Sequence, residues 1–289
     1  MRVLVAGAGG MLGRDVLRAV ERAGHEPLAF ERSQLDVVDA PAVLACLQRE
    51  RPDAAVNCAA WTDVDGAESE PALARAVNAE GAGNLARAAA AVGAALVHVS
   101  TDYVFDGEPP LSASGAPRPY VESDPTGPCS VYGETKLAGE REVLAASPRH
   151  TVARTAWLYG LHGHSFVATM LRVAGEREAV QVVTDQVGCP TWTGHLAPAL
   201  VGLLERELSG LLHLAGAGCA SWNELAAEIF RQAELACRVE PATSEQIVRP
   251  ARRPKWSVME SERDDVVPMP DWRDGLAEYL AARMGITRG

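Results

Sequence analysis

Tyr132 and Lys136 stand four residues apart in the segment Tyr132-Gly133-Glu134-Thr135-Lys136. If the segment opens a helix, that spacing puts both side chains on one face. A phenol with a pKa of about 10 is a poor acid–base group at neutral pH, and a neighbouring ammonium favours the phenolate and lowers that pKa. Tyr132 could then give its proton to a carbonyl oxygen while a hydride arrives at the carbon, with Lys136 also holding the ribose of a nicotinamide. The plain alternative is a surface lysine beside a packed tyrosine, and this short pattern arises often by chance. A third group raises its value. Ser100-Thr101-Asp102-Tyr103 follows the apolar run Leu96 to Val99. A hydroxyl at such a strand end can bond a substrate oxygen and tune the proton transfer, and Thr101 fits that role better than Ser100.

Gly7-Ala8-Gly9-Gly10-Met11-Leu12-Gly13 follows a short N-terminal apolar run and precedes a helical pattern. Gly7 suits a tight turn, Gly10 a close backbone approach to a pyrophosphate, and Gly13 close packing of helix on strand. The free N–H groups of the helix N-terminus then face the phosphates. The spacing, Gly-x-x-Gly-x-x-Gly, differs from the usual dinucleotide fingerprint, and glycine-rich turns also serve as plain connections. The second apolar run ends in Phe30-Glu31-Arg32-Ser33. An acid there would bond ribose hydroxyls and favour NAD, whereas an arginine would pair with a 2′-phosphate and favour NADP. Arg32 tips the reading to NADPH, with NADH also accepted. An exposed Glu-Arg pair at a strand end is the plain alternative. Asp36 and Val37 fit the adenine side of the pocket, and Asp39 reads as a helix cap.

The elements that must position these groups alternate along the first half of the chain. Strands are predicted at Val3 to Ala6, Glu26 to Glu31, Ala54 to Asn57, Leu96 to Ser100 and Thr151 to Thr155. Helical patterns lie between them, including a long Ala-rich stretch from Pro71 to Val92. Continuous apolar strands separated by helices imply a parallel sheet covered on both faces. The expected fold is α/β, a doubly wound parallel sheet of the Rossmann type with a smaller C-terminal substrate lobe. Its ligands should sit at the carboxyl ends of the strands. Residues 1–160 read as mainly the dinucleotide-binding part. Residues 161–289 read as mainly a substrate-binding lobe interleaved with the last elements of the sheet.

The bulk numbers narrow the partners. The 289 residues carry a net charge of −11. Such a surface repels phosphate backbones, so nucleic acid is not expected as a main partner. No run approaches the ~20 apolar residues of a membrane span, and Met1 leads directly into the first strand pattern, so no membrane association and a cytoplasmic location are expected. The six cysteines are scattered with no Cys-x-x-Cys pair, as in reduced thiols. His162-Gly163-His164 lacks a carboxylate at ligand spacing, and no metal site is assigned.

Taken together, these segments resemble the extended short-chain dehydrogenase/reductases, and most closely the dTDP-4-dehydrorhamnose reductase family. The resemblance runs through most of the chain. It includes Gly7 to Gly13, Asn57-Cys58-Ala59-Ala60-Trp61-Thr62-Asp63-Val64-Asp65, and Ser100-Thr101-Asp102-Tyr103-Val104-Phe105-Asp106-Gly107. It continues through Tyr132 to Glu140, Arg154 to Gly160 and Asp185 to Thr191. The Ser-Thr-Asp-Tyr-Val-Phe-Asp-Gly block is far more specific than the glycine loop. The resemblance implies NAD(P)H-dependent reduction of the C4 carbonyl of dTDP-4-dehydro-L-rhamnose to dTDP-L-rhamnose, with Tyr132 as proton donor, Lys136 as its partner and Thr101 as tuning hydroxyl. Thr101, Asp102 and Trp157 would line the sugar pocket. Gly10, Met11, Leu12, Asp36, Val37, Ala60, Trp61 and Thr62 would hold the cofactor. Trp157 also reads as a core aromatic. Cys129-Ser130 departs from the family pattern, where an Asn is expected before Val-Tyr-Gly. A homodimer stays open. So do a reductase of another dTDP-4-keto-6-deoxyhexose, an epimerase of the same superfamily, and a non-catalytic regulatory subunit resembling that of methionine adenosyltransferase. The intact Thr101, Tyr132 and Lys136 argue against the last.

Overall fold

A computed structural model describes residues 1–287. Five strands alternate with helices through the first half. The strands are β1 (Arg2–Ala6), β2 (Glu26–Phe30), β3 (Ala54–Asn57), β4 (Ala95–Thr101) and β5 (Thr151–Thr155). The helices are α1 (Met11–Arg22), α2 (Ala40–Glu50), α3 (Val64–Ser69), α4 (Pro71–Arg75), α5 (Ala82–Ala91) and α6 (Val131–Ala146). The second half holds the strands β6 (Leu158–Tyr159), β7 (Ala179–Val183), β8 (Val187–Gly188), β9 (Thr191–Trp192), β10 (Gly210–His213), β11 (Ala220–Ser221) and β12 (Arg238–Ala242). Its helices are α7 (Phe166–Ala174), α8 (Thr193–Glu205), α9 (Trp222–Gln232) and α10 (Trp272–Thr287).

The main sheet has the order β10-β5-β4-β3-β1-β2, and every pairing in it is parallel. Alternation along β1 shows why both faces need cover. Val3 and Val5 enter one apolar cluster, with Val16 and Val20 of α1 and Leu196 and Leu200 of α8. Leu4 and Ala6 enter the other, with Val43 of α2, Leu85 of α5 and Val143 of α6. This is the doubly wound arrangement expected from the apolar runs. The chain reverses its direction of winding between β1 and β3, and the carboxyl ends of those strands flank the glycine loop.

The second half contributes to this sheet as well as standing beside it. Strand β10 pairs with β5 at the sheet edge, and α8 packs on α1. The remaining elements build a separate core, where Tyr159, Leu225, Ile229, Trp272 and Tyr279 are buried together. Strands β7 and β12 pair in parallel over this core.

The Ala-rich stretch departs from the uniform helix expected for Pro71 to Val92. A π-helical segment, Ala76–Gly81, separates α4 from α5. Buried Asn78 lies inside it. Its Oδ1 accepts from the Trp61 N–H at 2.8 Å, and its Nδ2 donates to the Trp61 carbonyl at 3.2 Å and to Thr135 Oγ1 at 3.1 Å. Those three bonds join the loop after β3 to α6, and the widened turn is where that residue sits. Predicted strand ends shift only slightly: Glu31 lies just beyond β2, and Thr101 closes β4.

Candidate active site

The glycine loop is built by contact rather than by composition. Gly7 has φ +76°, and a Cβ on it would stand 2.7 Å from the Ala59 nitrogen. A Cβ on Gly13 would strike the Gly7 carbonyl, so α1 can lie against the loop only with glycine there. Gly10 is the N-cap of α1, and no side chain caps the helix. Its first N–H groups thus remain available to an anion, as a dinucleotide phosphate requires. The loop opens on a cavity of about 420 Å³ lined by Gly7, Gly10, Arg32, Asp36, Val37, Ala60 and Trp61. Glu31, the acid of the strand-end pattern, also lines it, as does Arg14, which was not singled out from the sequence. The Glu31 carboxyl lies over Gly9, and Arg32 reaches Asp36 at 3.7 Å. Both the acidic and the basic groups raised by the strand-end pattern therefore face the same end of the cleft.

Four sequence-derived cofactor positions stand apart from that cavity. Leu12 belongs to the sheet core, so its side chain packs and only its backbone faces the loop. Gly13 acts through close packing. The Met11 side chain lies against Gly160. Thr62 is exposed on the approach to α3, beyond Trp61.

Helix α6 presents the acid–base pair. Ser130 is its N-cap and accepts from the Gly133 N–H at 3.3 Å, while Glu68 of α3 accepts from the Val131 N–H at 3.0 Å. The departure at Cys129-Ser130 is thereby absorbed: serine is a good N-cap, and the half-buried Cys129 sulfur points to the Arg252 carbonyl at 3.9 Å. Deeper along α6, Glu140 binds Arg154 of β5 through Nε at 2.9 Å and Nη2 at 2.7 Å, and accepts from Ser100 Oγ at 2.6 Å. Both ion-pair partners are 3% exposed, so the contact locks the helix to the sheet away from water.

Thr101 and Asp102 are buried at the end of β4, beside Tyr132. Burial pushes the Tyr132 phenol up to about 12, the Thr101 hydroxyl pulls it down, and the Asp102 charge raises it. The sequence pattern led us to expect a phenol lowered by Lys136. In this structure the lysine is turned instead to the Val99 carbonyl at 2.6 Å and to His98 Nε2 at 3.4 Å. Burial holds Lys136 down at about 8, against the opposing pull of Glu140 and Cys58. Asp102 is pushed up to about 6 by burial, with Ser257 and Thr101 pulling the other way. Its Oδ1 accepts from Thr101 Oγ1 at 3.0 Å, and its Oδ2 completes no hydrogen bond among the described residues.

Tyr103 stacks edge-on against Tyr132, with ring centroids 5.5 Å apart. It also lines a second cavity of about 440 Å³, with Phe166, Trp222, Gln186, Arg249 and Arg253. Trp157 stacks flat on Trp222 at 3.5 Å and has φ +47°, a costly conformation for a tryptophan. Trp157 supports the cavity wall, whereas Trp222 forms it. The sequence reading missed Trp222 and Arg249, together with Asn78 and His98; Asn57 is legible as a polar strand end, and Arg253 as part of a segment resembling a family stretch near the nucleotide. A polar residue inside an otherwise apolar run was the one signal for Asn78 and His98.

The family model for the RmlD substrate binding domain matches residues 1–284. A dTDP-4-dehydrorhamnose reductase of Streptomyces griseus is 47% identical, over 98% of this chain and 94% of its own. A probable dTDP-4,6-dihydroxy-2-methyloxan-3-one 4-ketoreductase of Streptomyces antibioticus is 44% identical, over 100% of this chain and 99% of its own. The crystal structure of a dTDP-4-dehydrorhamnose reductase from Bacillus anthracis, in complex with NADP, aligns with a TM-score of 0.92 at 36% identity, covering 97% of this chain and 99% of that one.

Proposed function

Because the chain belongs to the family of the RmlD substrate binding domain, we propose that it reduces the C4 carbonyl of dTDP-4-dehydro-L-rhamnose to the alcohol of dTDP-L-rhamnose, with NADPH as reductant. The observation that carries the reading is the meeting of Thr101, Asp102 and Tyr132 at the carboxyl edge of the sheet, with Tyr103, which stacks on Tyr132, lining a neighbouring cavity. The uncapped N-terminus of α1 and the room beside it suit a dinucleotide. A bound NADPH supplies the hydride that C4 accepts, leaving NADP⁺.

The chain's own groups supply the rest. The Tyr132 hydroxyl donates its proton to the C4 oxygen, so the carbonyl gains one hydride and one proton. The Thr101 hydroxyl, turned from Asp102, donates to that same oxygen and orients it towards Tyr132. Lys136 would hold the nicotinamide ribose by turning from the Val99 carbonyl, and its positive charge near the phenol would make the proton easier to release. The Asp102 carboxylate, with Ser257 beside it, would accept a hydroxyl of the sugar. Phe166 and Trp222 offer flat apolar faces to a base, and Arg249 and Arg253 offer charge to a pyrophosphate. Residues 1–160 would then hold mainly the cofactor and residues 161–289 mainly the sugar nucleotide. Arg14 and Arg32 favour a 2′-phosphate, and Glu31 leaves NADH usable at lower affinity. No helix among the described residues is long and apolar enough to cross a membrane, and all six cysteines are free, in keeping with a cytoplasmic enzyme. A homodimer is the assembly to look for by sedimentation.

The test follows NADPH absorbance with enzymatically generated dTDP-4-dehydro-L-rhamnose. Wild type should oxidise NADPH and form dTDP-L-rhamnose. Tyr132→Phe should lose roughly 10²–10⁴-fold in kcat. Absence of oxidation by a folded, NADPH-binding wild type would remove the rhamnose assignment. The 44%-identical ketoreductase of Streptomyces antibioticus favours a second reading, reduction of another dTDP-4-keto-6-deoxyhexose, and the same assay with such sugars separates the two.

A further inference from the structure

Beneath Lys136 lies a chain of polar contacts that the proposed chemistry does not use. The Ala59 N–H donates to Asn57 Oδ1 at 3.0 Å. This bond fixes which end of the Asn57 amide is which. Its Nδ2 is left facing His98 Nδ1 at 3.0 Å. An amide nitrogen only donates, so Nδ1 must be the bare, accepting nitrogen of the ring. A neutral imidazole with a bare Nδ1 carries its proton on Nε2. That nitrogen faces Lys136 Nζ at 3.4 Å. Asn57 and His98 are each 1% exposed and Lys136 is 2% exposed, so water cannot screen the contact.

We propose that His98 is a positioning residue for Lys136: held by Asn57 as the Nε2–H tautomer, it turns a donor rather than a lone pair to the lysine and weakens that lysine's hold on its proton. An amine can accept from Nε2–H, whereas an ammonium meets it hydrogen to hydrogen. The other groups around Lys136 are accounted for. Glu140, on the same helix, is drawn off by Arg154 and Ser100, though its charge still favours the ammonium. Cys58, at the end of β3, is pushed up to about 12 by burial and stays a neutral thiol. The Val99 carbonyl accepts from either form of the lysine. His98 itself is held well below its ordinary pKa, by burial and then by Lys136, and stays neutral. The consequence is a lysine that releases its proton near the working range, and an alkaline edge to activity that His98 sets.

The inference rests on Lys136 serving Tyr132 as proposed above, but its first test needs neither substrate nor cofactor. Two-bond ¹⁵N–¹H spectra of the histidine-labelled protein should show His98 with a protonated Nε2 and a bare Nδ1. The reverse pattern overturns the proposal. Asn57→Asp puts an acceptor at Nδ1, so the ring should switch to Nδ1–H and offer its lone pair to the lysine. The ¹³Cε titration midpoint of Lys136 should then rise by about one unit, a tenfold gain in proton affinity. A midpoint that stays put in the folded variant overturns the proposal. So does one that rises with no change of tautomer, because the added charge alone explains it. In wild type the alkaline edge of kcat/KM should fall at the Lys136 midpoint, and an edge elsewhere refutes the link to activity. Loss of the reductase reading would show separately, as a wild type with the expected tautomer and no NADPH oxidation.

Discussion

Tyr132 is the residue whose environment matters most to the rate. Its phenol is pushed up to about 12 by burial, so it is fully protonated at neutral pH and ready to donate. Among the described residues no positive charge lowers it, and Lys136 shares its helix face. With Lys136 at about 8, the charge is present below that pH and lost as the pH rises through it. Reduction should therefore weaken above about pH 8, long before the phenol itself titrates. A profile of kcat/KM against pH checks this: a flat rate to pH 10 would show that the lysine charge contributes little. Asp102, at about 6, works in the opposite sense, since its carboxylate is lost as the pH falls. An acid edge near that value would mark its contact with the sugar.

Helix α6 carries both proposed catalytic side chains, Tyr132 and Lys136, so its seating decides their geometry. Its first turn is held by Ser130 and Glu68, its middle by Asn78 through Thr135, and its lower half by the Glu140–Arg154 pair. That pair is buried, and removing one partner strands a charge away from water. Glu140→Gln should cost roughly 3–5 kcal/mol of stability, read as a lower midpoint in urea. The same variant removes a group that favours the Lys136 ammonium, so the alkaline edge should move to lower pH. An unchanged midpoint would mean that the surrounding core closes over the lost charge.

Across the whole molecule, Asp65 ties two distant parts of the chain together. Asp65 of α3 accepts from the Ala251 N–H at 3.1 Å and pairs with Arg253 at 3.0 Å and Arg249 at 3.6 Å. It draws the segment around residues 249–253, which lines the cavity shared with Tyr103 and Trp222, onto α3. Asp65→Ala should raise the KM for the dTDP-sugar severalfold, because the two arginines are no longer held in place, while the KM for NADPH changes less. Equal effects on both would point to a general loosening of the fold.

Local features of this protein were legible without a structure. The glycine loop, the strand ends and the Tyr132/Lys136 spacing depend on neighbours within a few residues, and apolar alternation reports which segments must be covered. The five leading strands, the cap at Asp39 and the doubly wound sheet follow from such short-range rules. Contacts between distant segments were not legible. Asn57 meets His98 across 41 residues, Lys136 meets His98 across 38, and Asp65 meets Ala251 across 186. No periodicity encodes such meetings. The first two exist because the parallel sheet sets β3 beside β4 and because α6 packs across β4 and β5. The direction in which Lys136 points was settled the same way: the spacing put it on the face of Tyr132, and only the packed sheet beneath, with its Val99 carbonyl and His98 ring, decided where its amine comes to rest.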